Sequence, residues 1–111
     1  MRILVCGGRG YKDREKLFLA LDRLNPKIVI HGACRSGADK LAKKWTQSRG
    51  KIEVPFAAKW RKYGHAAGPI RNKRMLEEGD PDLVVSFPGG RGTANMMKLT
   101  GAAGTPYVVI E

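Results

Sequence analysis

Apolar residues along this chain fall in short runs separated by longer mixed segments, the pattern of strands and helices taking turns. The runs Ile3-Leu4-Val5-Cys6, Ile28-Val29-Ile30, Leu83-Val84-Val85 and Val108-Val109-Ile110 are four residues or fewer. They predict strands over residues 2–6, 27–31, 83–87 and 107–110. A fifth strand is predicted over 52–56, where Pro55 suits a strand end or an edge. Between them the period changes. Leu17, Leu21 and Leu24 recur at helical spacing with Ala20 on the same face, predicting a helix over 13–24 that stops before Pro26. A second helix, 38–48, turns Leu41, Ala42 and Trp45 inward and reaches Gly50 as its C-terminal cap. A third runs from Pro69 to about Glu78, and a fourth over 93–103, closed by Gly104-Thr105-Pro106. Residues 57–69, rich in aromatic and basic side chains, read as a loop.

The order β-α-β-α-β-α-β-α-β suits right-handed crossovers in a mainly parallel sheet covered on both faces. The expected fold is α/β, a Rossmann-like three-layer α/β/α sandwich with strand order 3-2-1-4-5, in one domain over residues 1–111. In that order the first and fourth strands meet at a topological switch point, and ligands bind in the crevice outside the carboxyl ends of such strands.

Three of the strands end in glycine-bearing turns. These are Gly7-Gly8-Arg9-Gly10, Gly32-Ala33-Cys34-Arg35-Ser36-Gly37 and Pro88-Gly89-Gly90-Arg91-Gly92-Thr93. Glycine lets a ligand approach the backbone without a Cβ in the way. Helix starts offer unpaired amides and the positive end of the dipole to an anion. One such turn needs its glycines for geometry alone; three at one sheet edge point to a phosphate cradle. Arg9, Arg35 and Arg91 are candidates for bidentate phosphate contacts. Ser36 reads first as a helix N-cap. Thr93 either caps its helix or reaches a phosphate. Asp39 caps, pairs with an arginine, or accepts ribose hydroxyls. Trp60 and Tyr63 either stack on a base or pin the loop, while Arg71 and Asn72 fall in the first turn of a helix aimed at the same edge. His65 is solitary, and no Cys/His spacing suggests a metal; no cofactor is expected.

Charge sharpens this picture. The chain carries 21 Lys and Arg against 10 Asp and Glu, a net charge of +11. Residues 27–75 hold thirteen basic side chains and two acids, Asp39 and Glu53, so the whole excess lies there. Such a field attracts phosphate-bearing ligands or polyanions, and its plainer reading is a solvated surface. No apolar run approaches the ~20 residues of a membrane-spanning helix, and no basic start followed by an apolar core suggests a secretory signal. Two cysteines, Cys6 and Cys34, are read as reduced thiols of a cytoplasmic protein that engages no membrane.

The strings VCGGRGY, HGACRSGADKLAKKW, WRKYGHAAGPIRNKRMLEEG and DLVVSFPGGRGTANM, taken in order, resemble the YspA-related (cpYpsA-related) group of the SLOG superfamily. The resemblance implies a Rossmann-like fold, a bacterial or phage origin, and kinship with LOG phosphoribohydrolases, DprA and sensor domains for nucleotide-derived signals. It also implies a ligand site built from Gly7, Gly8 and Arg9, from Gly32 to Asp39, from Gly68 to Asn72, and from Gly89 to Thr93. The phosphoribohydrolases resemble PGGxGTxxE, whose glutamate assists glycosidic cleavage. Here Met96 stands at that position, Asn95 replaces an aspartate of the nearer group, and Gly10 replaces an acid common after GGR. With those carboxylates replaced, hydrolysis would fall to Asp39, the one catalytic candidate. Three functions remain open: binding or sensing a nucleotide-derived small molecule, hydrolysing an N-glycosidic bond, or binding nucleic acid with Trp60 and Tyr63 as stacking groups. A homodimer is expected by analogy alone.

Overall fold

Both faces of the first strand are apolar, and this places it in the middle of a sheet. In the computed structural model, which describes residues 1–111, β1 (Arg2–Cys6) pairs in parallel with β2 (Ile28–His31) on one side. β3 (Ile52–Pro55) continues the sheet beyond β2. On its other side β1 pairs with β4 (Leu83–Ser86), and β5 (Tyr107–Val109) lies outside β4. The five strands are all parallel in the order 3-2-1-4-5, as the alternation of elements predicts. Ile3 lies beside Leu83 and Cys6 beside Ser86, so the carboxyl ends of β1 and β4 are level.

Helices cover both faces. α1 (Arg14–Leu24) and α2 (Gly37–Arg49) pack on one; a single turn, α3 (Trp60–Tyr63), leads to α4 (Ala67–Glu77) and α5 (Arg91–Ala103) on the other. Alternation along the strands divides the core accordingly. Ile3, Val5, Val29 and Val85 pack with Leu17, Phe18, Leu21, Ala42 and Trp45, while Leu4, Cys6, Ile30 and Val84 pack with Met75 and Met96. The indole of Trp45 is fully buried, and its N–H donates to Asp22 Oδ1 at 2.8 Å, tying α2 to α1. Arg49 grips the same carboxylate through two nitrogens, holding it below the usual carboxylate range together with the indole.

The structure departs from the sequence pattern in four places. Residues 57–69 are not a plain loop: the Lys62 and Tyr63 amides both reach the Lys59 carbonyl at 3.0 Å, forming α3, and a 3-10 turn (Gly64–Ala66) runs straight into α4. A four-residue helix is too short to show a period. Pro69 is therefore the third residue of its helix, a position where no intrahelical amide is needed, and Arg71 and Asn72 fall in the second turn instead of the first. α5 starts at Arg91, two residues before Thr93. Finally, Tyr107 and Val109 in the outermost strand are more than half exposed, because β5 has a neighbour on one side only.

Backbone contacts bolt the three glycine turns together. The Gly8 amide donates to the Pro88 carbonyl at 2.9 Å, and the Gly8 carbonyl accepts from both Tyr11 and Ala38 at 3.2 Å. Gly37 sits against this joint with φ +72°, and a Cβ there would collide with the Gly8 carbonyl oxygen and lie 2.6 Å from Arg9 Cα. Gly37→Ala should therefore cost at least about 2 kcal/mol, from strain and collision together. A Cβ on Gly10 would meet nothing within 4 Å, and its φ is not positive, so Gly10→Ala should be neutral or slightly stabilising. Urea unfolding of the two variants checks this; equal stabilities would remove the interlock.

Candidate functional site

Because β1, β2 and β4 end at the same edge, the segments that follow them enclose a cleft of about 820 Å³. That size lies within the ordinary range of small-molecule sites, about 300–1,000 Å³. From the end of β1 come Cys6, Gly7, Gly8 and Arg9; from the turn after β2 come Gly32 and Cys34, and from the first turn of α2 comes Asp39. α4 contributes Gly68, Arg71 and Asn72, and the start of α5 contributes Gly90, Arg91, Gly92, Thr93 and Asn95. At the rim, Trp60 is 47% exposed and the Arg9 guanidinium lies 5.5 Å from its ring centroid, an attractive cation–π distance. Trp60 also touches the place a Gly68 side chain would occupy, so it leans on α4 as well as bordering the cleft.

Not every residue expected here lines the cleft. Arg35, Ser36, Gly37, Pro88 and Gly89 do not. Gly37 belongs to the joint between turns, and the Pro88 carbonyl serves the Gly8 amide. Ser36 occupies the N-cap of α2, but its hydroxyl makes no capping bond. Thr93 is no cap either: Gly90 holds that position, and the Thr93 hydroxyl faces Gly89.

The three helix starts differ in what they offer an anion. α1 is capped by Asp13, whose carboxylate accepts from the Lys16 amide at 3.1 Å. α2 gives its Ala38 amide to the Gly8 carbonyl. α5 begins without a side-chain cap, so the first-turn amides of Arg91, Gly92 and Thr93, all lining the cleft, have no intrahelical acceptor. The positive end of the α5 dipole adds to them.

Two side chains of α4 hold this edge in shape. Arg71 Nη1 donates to the Gly32 carbonyl at 2.5 Å and Nε to Asn72 Oδ1 at 3.0 Å. A Cβ on Gly32 would fall 2.6 Å from that guanidinium, so Gly32 is what lets Arg71 cross to the β2 turn. Asn72, 3% exposed, donates to Asn95 Oδ1 at 3.0 Å and to the Gly92 carbonyl at 3.2 Å, tying α4 to the start of α5.

Asp39 is the one carboxylate lining the cleft. It is 7% exposed, and its Oδ2 accepts the Cys34 amide at 3.2 Å. Burial is the main cause that pushes the Cys34 thiol up; Asp39 adds to it, and Arg71 and Arg9 oppose it. Burial likewise pushes Cys6 up to about 11, against a hydrogen bond with Ser86 that lowers it. Met96 is 1% exposed and packs among Leu4, Ile30 and Val84 beneath the cleft it lines, so an apolar side chain fills the position of the phosphoribohydrolase glutamate.

One determinant of the site heads the second motif string, yet nothing in that string shows its role. His31, 2% exposed at the end of β2, accepts the Ala33 amide on Nδ1 at 2.9 Å. Its Nε2 therefore carries the proton it donates to Glu53 Oε2 at 2.6 Å. That bond steadies Ala33 at φ +59°, a conformation costly for a residue with a side chain, and so shapes the turn behind Gly32. The signal was Glu53 itself, an acid inside a short strand of a basic block. Sequence reasoning also passed over Cys6 and His65 as cleft residues, reached Cys34 only within the span from Gly32 to Asp39, and took Asn95 only as a missing acid.

The family described as YspA, cpYpsA-related SLOG matches residues 1–63, more than half of the chain. The match takes in the Gly7–Gly10 and Gly32–Asp39 segments and Trp60; the other two motif strings extend or lie beyond it. No curated protein matches the chain significantly.

The folded protein keeps the Cys6 proton up to about pH 11, whereas the unfolded chain releases it near the ordinary value of 9.0. Between those values the folded state binds more protons, so stability falls as pH rises through the window. The part due to this thiol is roughly 2–3 kcal/mol. Urea unfolding at about pH 8 and about pH 10.5 should show a smaller alkaline loss for Cys6→Ala than for the parent; equal losses would count against a shielded thiol.

Proposed function

The chain belongs to the YspA, cpYpsA-related SLOG family, and from that premise we propose that its cleft binds a phosphorylated nucleotide or a small molecule derived from one. The observation that carries this reading is the convergence of three guanidinium groups, Arg9, Arg71 and Arg91, with the uncapped amides of α5 on one cavity. Arginine and helix-start amides recognise the same group, a phosphate with several acceptor oxygens. Trp60 at the rim offers a flat face for a base. None of the three arginines takes part in an ion pair; Arg9 and Arg91 have no carboxylate partner to give up, while Arg71 adds its charge from a guanidinium already anchored to the Gly32 carbonyl and Asn72.

Binding without turnover is the better supported version. Cleavage of an N-glycosidic bond calls for a group that can protonate the leaving base or stabilise the cation left on the sugar, the part the motif glutamate plays in the phosphoribohydrolases. Asp39 is the one carboxylate in the cleft, Asn95 is engaged with Asn72, and Met96 lines the cleft with an apolar side chain. A second reading, single-stranded nucleic acid, draws on Trp60 and Tyr63, both exposed beside Arg61 and Lys62.

A saturating nucleoside phosphate, about 100-fold above its Kd, should stabilise the native state by roughly 2.7 kcal/mol and raise Tm by on the order of 10 °C. Arg91→Ala should weaken that ligand at least about 10-fold, since it removes a charge-assisted contact. Thermal denaturation across a panel of nucleoside mono- and diphosphates measures both. No shift with any of them would overturn the proposal. Binding confined to oligonucleotides and falling steeply with salt would favour the second reading.

A further inference from the structure

A carboxylate offers about four acceptor positions, and Asp39 has few donors from the protein to fill them. The Cys34 amide reaches Oδ2 at 3.2 Å, and the Cys34 thiol, a weak donor, lies against the same group. Asp39 is in none of the four ion pairs. Arg71, which flanks Gly32 together with Asp39, is held by the Gly32 carbonyl and Asn72. Yet Asp39 is 7% exposed, and what remains of its surface opens on the cleft. The one buried polar side-chain atom without a partner is the Tyr11 hydroxyl, so the free acceptor positions of Asp39 are reached from the cavity.

A buried acceptor of this kind, in a cavity otherwise built for an anion, calls for neutral donors on the ligand. A cationic ligand group would meet Arg9, Arg71 and Arg91 around the same cavity. Hydroxyl groups meet no such opposition, and two neighbouring ones can each give a hydrogen bond to one carboxylate. The neutral, vicinal pair that every 5′-ribonucleotide with a free sugar edge carries is the 2′,3′-diol.

Resting on the reading of the cleft as a nucleotide site, we infer that Asp39 is the sugar-reading residue, which makes the ligand a ribonucleotide and excludes its 2′-deoxy counterpart. A sugar lacking one hydroxyl leaves the carboxylate buried against a methylene, which costs more than the hydrogen bond contributes. The base and the number of phosphates do not enter this selection. DNA-type ligands are disfavoured at this cleft for the same reason.

The test is calorimetric titration of the intact chain with the four 5′-ribonucleoside monophosphates, their 2′-deoxy counterparts, and ribose 5-phosphate against 2-deoxyribose 5-phosphate. The parent protein should prefer each ribose form by about 10- to 100-fold, and Asp39→Leu, which has no acceptor, should shrink that ratio to within about threefold. Equal affinity for the two sugars in the parent, or a preference that survives Asp39→Leu, overturns the inference and leaves the nucleotide site standing. If no compound of either sugar binds, the nucleotide reading fails and this one with it. The comparison of sugars in the parent decides the matter even if the variant does not fold.

Discussion

The parallel pairing of β1 with β4 is the constraint on which the cleft depends. Two strands far apart in sequence lie side by side with their ends level, and their connections depart to opposite faces of the sheet. Where the connections part, a crevice opens that no side chain of the core fills. The pairing is held by burial on both faces: Leu4 and Val84 turn toward α4 and α5, while Ile3 and Val85 turn toward α1 and α2. A one-residue slip would exchange these two sets.

Around that crevice the glycine turns divide their labour. The first two are largely consumed in holding the edge together, through the Gly8 hydrogen bonds and the close packing of Gly37. The third is left to face outward, with uncapped amides at the start of α5. Motifs that look equivalent in sequence therefore differ in what they can offer a ligand. The difference arises because each backbone group used between turns is withdrawn from the cavity.

Electrostatics gives the cleft its character. Three unpaired guanidinium groups and a helix dipole make it a place for negative charge, and a single enclosed carboxylate makes one part of it an acceptor. The same carboxylate and the same enclosure keep the nearby Cys34 protonated, with burial the larger cause. A phosphate and a hydroxylated sugar are the two kinds of group that such a division of charge would accommodate together.

Much of this was written in the chain itself. Short runs such as Ile3–Cys6 and Leu83–Val85, each buried by its own composition, determined the strands, their parallel order and the edge at which Gly7, Gly32 and Gly90 gather, because periodicity and crossover handedness are local or nearly local properties. Arg9, Arg91 and Asp39 were legible as candidates for the same reason, since they stand in or beside those turns, and Arg71 because it falls near the start of a helix aimed at that edge. What tertiary structure alone decided was which of them face the cavity. Arg35 and Ser36 are as close to a glycine turn as Arg9 is, yet they lie outside it. The helical turn at Trp60–Tyr63, the bond from His31 to Glu53 and the bridge from Asn72 to Asn95 depend on contacts between segments, and such contacts leave no period in the sequence.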